Sequence, residues 1–209
     1  MNKLILLRHG ESQWNLENKF TGLKDVPLTD LGISQAKKAG QLIKKHNIKI
    51  DSVFSSVLER ANKTAEIAMI EANLTNLWKD SIFLMTKDSR LNERDYGDLV
   101  GLNKKETEEK FGKEQVHIWR RSYDTRPPNG ESLKDVVKRV SPFYQENINP
   151  LIKKNKNIII VAHGNSLRAT MITLGLYEPN DISSIEIPTG SPFCILFSNM
   201  KIAKTFYLN

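Results

Sequence analysis

Residues 4–7, "LILL", form an unbroken apolar run without the alternation of a strand that faces water, which predicts a strand buried on both faces. A second run of the same kind, "NIIIVA", occupies 157–162. Between them the periodicity changes. After a polar loop over 10–26, Thr29 can cap a helix in which Leu31, Ala36, Ala39, Leu42 and Ile43 recur at helical spacing. "IDSVFSS" (50–56) is a short strand ending in serines, and "VLERANKTAEIAMIEA" is a helix with Arg60 in its first turns. "SIFLM" is strand-like, "RLNERDYGDLVGL" is an irregular loop, and 103–122 is helical with an interruption at Gly112. "TRPPNGES" is a loop by its prolines and its Asn-Gly pair, and Ser132 opens a long helix to about residue 154, kinked at Pro142. Another helix follows the second buried run, and "CILF" and "AKTFYL" close the chain as two strands. With no repeat and no low-complexity linker, this alternation predicts one α/β domain over 1–209, its mostly parallel central sheet flanked by helices.

Composition narrows the function classes. With 39% hydrophobic and 26% charged residues the chain is an ordinary globular one and not a disordered one. The 31 Lys and Arg exceed the 24 Asp and Glu, giving a net charge of +7 that favours anionic partners without choosing among them. No RNP-like motif or zinc-finger spacing accompanies the charge, so nucleic acid is not the expected partner. Cys194 is the single cysteine, which excludes an internal disulfide and a cysteine metal cluster; within "FCILF" it is expected to be a small buried hydrophobe. The opening apolar run is too short for a signal peptide, and no run approaches the ~18 apolar residues of a membrane span. The expectation is a cytoplasmic enzyme or binding protein.

Both apolar runs end in the same way, one as Leu7-Arg8-His9-Gly10 and the other as Ala162-His163-Gly164-Asn165. Ligands of open α/β sheets bind outside the carboxyl ends of the strands, so two imidazoles there are expected to face each other across one crevice. Glycine after each histidine would let backbone amides come close to a ligand. Arg8, Arg60, Lys104, Arg120, Arg121 and Arg168 all fall at loop or helix-start positions. Two histidines among several arginine forks suit a phosphorylated, strongly anionic ligand. The chain has no P-loop, no Gly-x-Gly-x-x-Gly and no carboxylate cluster for magnesium, so side chains and not a metal are expected to neutralise the phosphate. Glu11, Asp25 and Glu93 lie in loops, and spacing does not choose the proton donor among them.

Taken together, "LRHGESQWN", "FTGLKDVPLT", "SSVLERA", "LNERDYGDLVGLNK", "WRRSY" and "IIIVAHGNSLRA" resemble the phosphoglycerate mutases that depend on 2,3-bisphosphoglycerate, within the histidine phosphatase superfamily. The likeness covers nearly the whole chain in the family's order. Arg-His-Gly-Glu alone would indicate only the superfamily, whereas "FTGLKDVPLT", "GLNK" and "WRR" are specific to the mutase branch. The resemblance implies a three-layer phosphoglycerate-mutase-like fold. It implies a metal-independent enzyme of glycolysis and gluconeogenesis that interconverts 3-phosphoglycerate and 2-phosphoglycerate through a phosphohistidine primed by 2,3-bisphosphoglycerate. It makes His9 the nucleophile and Glu93 the general acid and base. Arg8, Arg60 and His163 would hold the transferring phosphoryl group, assisted by Asn15 and the Gly164 amide. Ser12, Thr21, Gly22, Tyr96, Lys104, Arg120, Arg121 and Asn165 would bind the phosphoglycerate, with Lys104 and the two arginines on its carboxylate or distal phosphate. The partners implied are small phosphorylated metabolites, neither nucleic acid nor membrane, and a homo-oligomer is left open.

Three departures from the family's longer members stand out. The stretch between "TRPP" and "ESLKD" is short, the chain ends at "FYLN" without a polar tail, and Asp95 stands where the family's common form has a histidine. A more open site is expected to admit water, hence a bisphosphatase side activity. Two competing readings remain: a histidine phosphatase, against which "WRRSY" and "GLNK" argue, and a non-catalytic phospholigand-binding protein, which would need His9 or Glu93 to be dispensable.

Overall fold

The computed structural model describes residues 1–179 and 181–209. In chain order its elements are β1 (Asn2–Arg8), α1 (Gln13–Leu16), α2 (Asp30–Lys45), β2 (Ser52–Ser55), α3 (Glu59–Glu71), β3 (Trp78–Lys79), β4 (Ile82–Phe83) and β5 (Thr86–Lys87). Then follow α4 (Lys104–Phe111), α5 (Lys113–Arg121), α6 (Leu133–Phe143), α7 (Asn149–Lys153), β6 (Ile158–Ala162), α8 (Gly164–Thr173), β7 (Phe193–Ser198) and β8 (Lys201–Tyr207). Six strands make one sheet in the order β5-β2-β6-β1-β7-β8. The first four are mutually parallel, and β7 and β8 add antiparallel at the other edge.

The unbroken apolar runs are explained by a core on each face of the sheet. Leu4, Leu6, Ile158 and Ile160 point to one side, against Val136, Val140 and Phe143 of α6 and Leu167 and Met171 of α8. Ile5, Leu7, Ile159 and Val161 point to the other, against Ala39 and Ile43 of α2 and Ala65, Ala68 and Met69 of α3. Successive strand side chains alternate between faces, so a strand sandwiched by helices must be apolar at every position. Cys194 is fully buried in the second core. Thr29 caps α2 through its side-chain oxygen, which accepts the Gly32 amide, and Ser132 and Asp135 close a capping box on α6. Among the described residues no helix is long and apolar enough to cross a membrane.

Several expectations change. The loop over 10–26 contains the one-turn helix α1, capped by Ser12 and Asn15. Leu31 is 54% exposed and not part of the α2 core face: it lies on the outer side of a first turn that packs through its neighbour Gly32. "SIFLM" does not enter the main sheet: Ile82–Phe83 pairs only with Trp78–Lys79, the Trp78 and Phe83 rings stacking at 4.6 Å, and Thr86–Lys87 supplies the edge strand. The helix expected from 132 to about 154 is interrupted after Pro142. Proline offers no N–H to the preceding turn, and the chain loosens into a π-type turn over Tyr144–Ile148 before α7.

Candidate active site

Strand register builds the centre. Arg8 of β1 lies beside Ala162 of β6 in the parallel pair, and the His9 amide donates to the Ala162 carbonyl at 3.0 Å. The next residue on each strand is therefore a histidine, and their rings lie 5.0 Å apart between centroids. β2 pairs with the other side of β6, Ser55 beside Val161, so that Ser56 follows beside Ala162, one residue before His163. Its hydroxyl meets His163 Nε2 at 2.8 Å. Three neighbouring strand ends thus deliver Ser56, His163 and His9 in a row.

His9 is buried, and its Nδ1 lies 2.7 Å from the Gly10 carbonyl. A carbonyl only accepts, so this contact places the proton on Nδ1 and leaves the Nε2 lone pair free. Burial, then His163, Arg60 and Arg8, push the His9 pKa well below the ordinary histidine value, so the ring is neutral at pH 7. Burial and the cations of Arg60, Arg8 and Arg139 do the same to His163, whose Nδ1 has no protein partner.

The cations around this pair are held by carbonyls rather than by carboxylates. Arg8 Nη1 donates to Ile187 at 2.8 Å, and Arg60 donates through Nη1 to Lys24 and through Nη2 to Gly22 at 2.8 and 2.9 Å. A carbonyl orients a guanidinium without cancelling its charge, and Nε of both arginines is buried without a partner. Arg60 is 1% exposed. Lys104, at the start of α4, has its pKa lowered by burial and by Arg120 and Arg8. An anion arriving here would meet cations already held in place by main-chain carbonyls.

Two adjoining cavities of about 70 and 140 Å³ open from this centre and share Arg8, Glu93, Tyr96 and Lys104 as walls. The smaller adds His9, Asn15, Thr21, Gly22 and Arg60; the larger adds Arg120, Arg121, Gly164 and Asn165. Thirteen of the fifteen expected site residues therefore line these two cavities. His163 is fully buried behind the His9 ring. Ser12 is fully buried as well, its hydroxyl bonded to Asn15 Oδ1 at 3.0 Å, so it supports Asn15 from behind.

Glu93 occupies the junction of the cavities. Its Oε1 accepts the Arg94 amide at 2.8 Å, the Asn165 amide at 3.2 Å and Asn165 Nδ2 at 3.0 Å. Burial pushes its pKa up, but these donors with Arg60 and Arg8 outweigh burial and hold the carboxyl below its ordinary range. Oε2 lies toward Gly164, where a Cβ would stand 3.8 Å from it. Asp95 has a local role: its Oδ1 accepts the Gly97 amide at 2.9 Å and forms the turn into Tyr96–Leu99.

Gly10 does not serve as expected. Its amide donates to Thr64 Oγ1 at 3.1 Å, and its α-carbon is pressed against Gly32 of α2 rather than opened to the cavity. Several wall residues escaped the sequence reading. Lys19 and Phe20 line the smaller cavity, Phe20 lying 5.1 Å from the Tyr96 ring; "FTG" was the available signal. Arg168 is one of the cations that the sequence singles out, but it stands mid-helix in the second turn of α8 and not at a helix start; it lines the larger cavity with Nε and Nη2 on the Ile185 carbonyl. Glu186 pairs with Arg121 at the outer wall, which nothing in its sequence context signals. Arg94 is fully buried under Tyr96, 4.6 Å from the ring, and donates to the Arg120 carbonyl, tying the 92–99 loop to α5.

The sequence profile of the histidine phosphatase superfamily (branch 1) matches residues 4–205. A 2,3-bisphosphoglycerate-dependent phosphoglycerate mutase of Methylocella silvestris is 49% identical over 189 residues, covering 90% of this chain and 89% of the relative. One from Lactobacillus acidophilus is 45% identical and covers 94% of each chain, over an alignment of 222 residues. That length exceeds the 209 residues of this chain, so the Lactobacillus relative carries inserted residues that this one lacks. Among solved structures, a mycobacterial glucosyl-3-phosphoglycerate phosphatase in complex with VO3 superposes with a TM-score of 0.79 at 25% identity, covering 94% of this chain and 93% of that one. The alpha-ribazole phosphatase of Shigella flexneri does so with a TM-score of 0.78 at 25% identity, covering 99% and 96%.

Proposed function

The chain belongs to the histidine phosphatase superfamily and, within it, to the 2,3-bisphosphoglycerate-dependent phosphoglycerate mutases, and from that membership we propose that it interconverts 3-phosphoglycerate and 2-phosphoglycerate in glycolysis and gluconeogenesis through a phosphohistidine at His9. The observation that carries the proposal is the state of His9: a neutral ring, its Nδ1 committed to the Gly10 carbonyl, beside guanidinium groups whose hydrogen bonds go to main-chain carbonyls. Nε2 is then the nucleophilic atom, and Arg8, Arg60 and His163 stabilise the charge that spreads over the phosphoryl oxygens as it moves. Bound 2,3-bisphosphoglycerate would supply the phosphoryl group that primes His9. Arg8 and Arg60 beside His9, with Lys104, Arg120 and Arg121 around the adjoining cavity, fit a ligand carrying anionic groups at both ends.

Glu93 rests as a carboxylate, the form needed to take the proton of an attacking substrate hydroxyl. It returns that proton to the other substrate oxygen when the phosphoryl group goes back to His9, so one carboxyl serves as base and then as acid. Arg120, Arg121 and Lys104 hold the acceptor, and Asn165, Tyr96, Thr21 and Gly22 shape the space in which it exchanges its two hydroxyls. A minor hydrolytic activity accompanies the mutase. The short turn at 127–130 packs behind the 95–98 loop, the Asp98 amide donating to the Pro128 carbonyl at 3.0 Å, and it does not line the cavities, which favours access of water.

The test follows 3-phosphoglycerate, 2-phosphoglycerate and free phosphate together by phosphorus NMR in excess chelator, with and without 2,3-bisphosphoglycerate. Isomerisation stimulated by the bisphosphate, with slow phosphate release, is the expected result. Phosphate release without isomerisation would make the protein a phosphatase.

A further inference from the structure

Arg139, on α6, lines neither cavity, although its charge contributes to the lowered pKa of His163. Its guanidinium has five N–H donors, and each has an acceptor. Nη1 donates to the carbonyls of Arg90 and Asn92 at 2.7 and 3.0 Å. Nη2 donates to the Glu93 carbonyl at 3.1 Å and to Glu131 Oε2 at 3.0 Å, and Nε donates to Glu131 Oε1 at 3.0 Å. Three of the five acceptors are thus main-chain carbonyls within 90–93. Glu131 extends the clamp to the other side of Glu93. Its Oε2 accepts the Asp95 amide at 2.9 Å, and its own amide donates to the Asp95 carbonyl at 2.9 Å.

The clamped segment needs such support. Residues 92–96 are in neither helix nor strand, so no ladder of main-chain bonds fixes the backbone from which Glu93 projects. A proton-transferring carboxyl has to be held within about 0.5 Å of its working position. We propose that Arg139, oriented by Glu131, is the positioning residue of Glu93, fixing the main chain on both sides of the carboxyl that moves the substrate's proton. The proposal rests on the acid–base role of Glu93 given above. Lysine cannot replace the clamp fully, because its three donors radiate from one nitrogen and cannot span carbonyls and a carboxylate together.

The experiment measures kcat and KM for 3-phosphoglycerate in Arg139→Met and Arg139→Lys, each with native Glu93 and with Glu93→Gln, beside the thermal midpoint of every variant. With Glu93 present, Arg139→Met lowers kcat about 10- to 100-fold, the scale of a misplacement near 1 Å. KM stays within about twofold, since the cations facing the acceptor stand on α4 and α5, and Arg139→Lys recovers part of the loss. With Glu93→Gln, Arg139→Met costs no more than about a further twofold, because the group it positions is already gone. Equal losses in both backgrounds, or a loss confined to KM, would overturn the proposal and make Arg139 a structural residue only. A Glu93→Gln enzyme with nearly native kcat is a different outcome: it overturns the acid–base reading first and the positioning role with it. Should Arg139→Met fail to fold, Glu131→Gln, which keeps the shape and removes the charge, is put through the same two backgrounds.

Discussion

Replacing Gly32 with alanine sets two effects of opposite sign against each other. Gly32 lies inside α2, where alanine ordinarily gains about 1 kcal/mol over glycine by helix propensity. Here, however, a Cβ would stand 2.1 Å from the Glu11 carbonyl oxygen, about 1.3 Å short of the 3.4 Å at which ordinary contact begins. The neighbour is main chain and cannot swing aside. The same oxygen accepts the Thr29 amide at 2.9 Å, so moving it strains the bond that joins the nucleophile's loop to the helix start. Overpacking of this kind costs about 1–3 kcal/mol, and a weakened hydrogen bond about 1 kcal/mol more. After the propensity gain, Gly32→Ala is expected to destabilise by about 1–3 kcal/mol, which lowers Tm by about 2–12 °C in a domain of this size. The displaced Glu11 lies two residues from His9, so kcat should fall about 10- to 100-fold. Calorimetry and the coupled mutase assay read the two effects. A raised Tm with unchanged kcat would refute the reasoning, since it would mean that the close approach of α2 to the loop imposes no constraint.

His9→Ala is expected to abolish acid-labile phosphoenzyme formation together with mutase and phosphatase turnover; appreciable turnover of either kind would sink the phosphohistidine mechanism. His9 and His163 have pKa values lowered by burial and neighbouring cations, so below the ordinary value of about 6.5 the unfolded chain binds protons that the folded one does not. Stability therefore falls as pH drops below about 6.5, by up to about 1.4 kcal/mol per pH unit per histidine, and urea unfolding at pH 7 and 5.5 should show a flatter dependence in His163→Phe. An identical slope in that variant would contradict the assignment. Glu186 competes with an incoming anion for Arg121, so Glu186→Gln should lower KM for 3-phosphoglycerate by up to about fivefold, the measure of an exposed ion pair, and a raised KM would show that Glu186 helps to bind substrate.

What the sequence determined by itself is local in origin. An unbroken apolar run can be stable only as a strand covered on both faces, so "LILL" and "NIIIVA" announced a sheet between two helical layers. Thr29 and Ser132 marked helix starts because capping needs only the residue and the next three. The repeated strand–His–Gly ending located the crevice, and the resemblance of the loop and helix-end motifs supplied thirteen of the residues that line it. Tertiary structure decided everything that depends on register and on distant partners. The pairing of Arg8 with Ala162 brings the two histidines to 5.0 Å; a slip of one residue would turn every side chain of β1 to the opposite face. The contact of His9 Nδ1 with a carbonyl, the Ser56 hydroxyl on His163, and the closeness of Gly10 to Gly32 leave no mark in composition or spacing. Nor does the clamp on the Glu93 loop, because main-chain carbonyls belong to every residue alike and only the fold selects which three an arginine on another helix will reach.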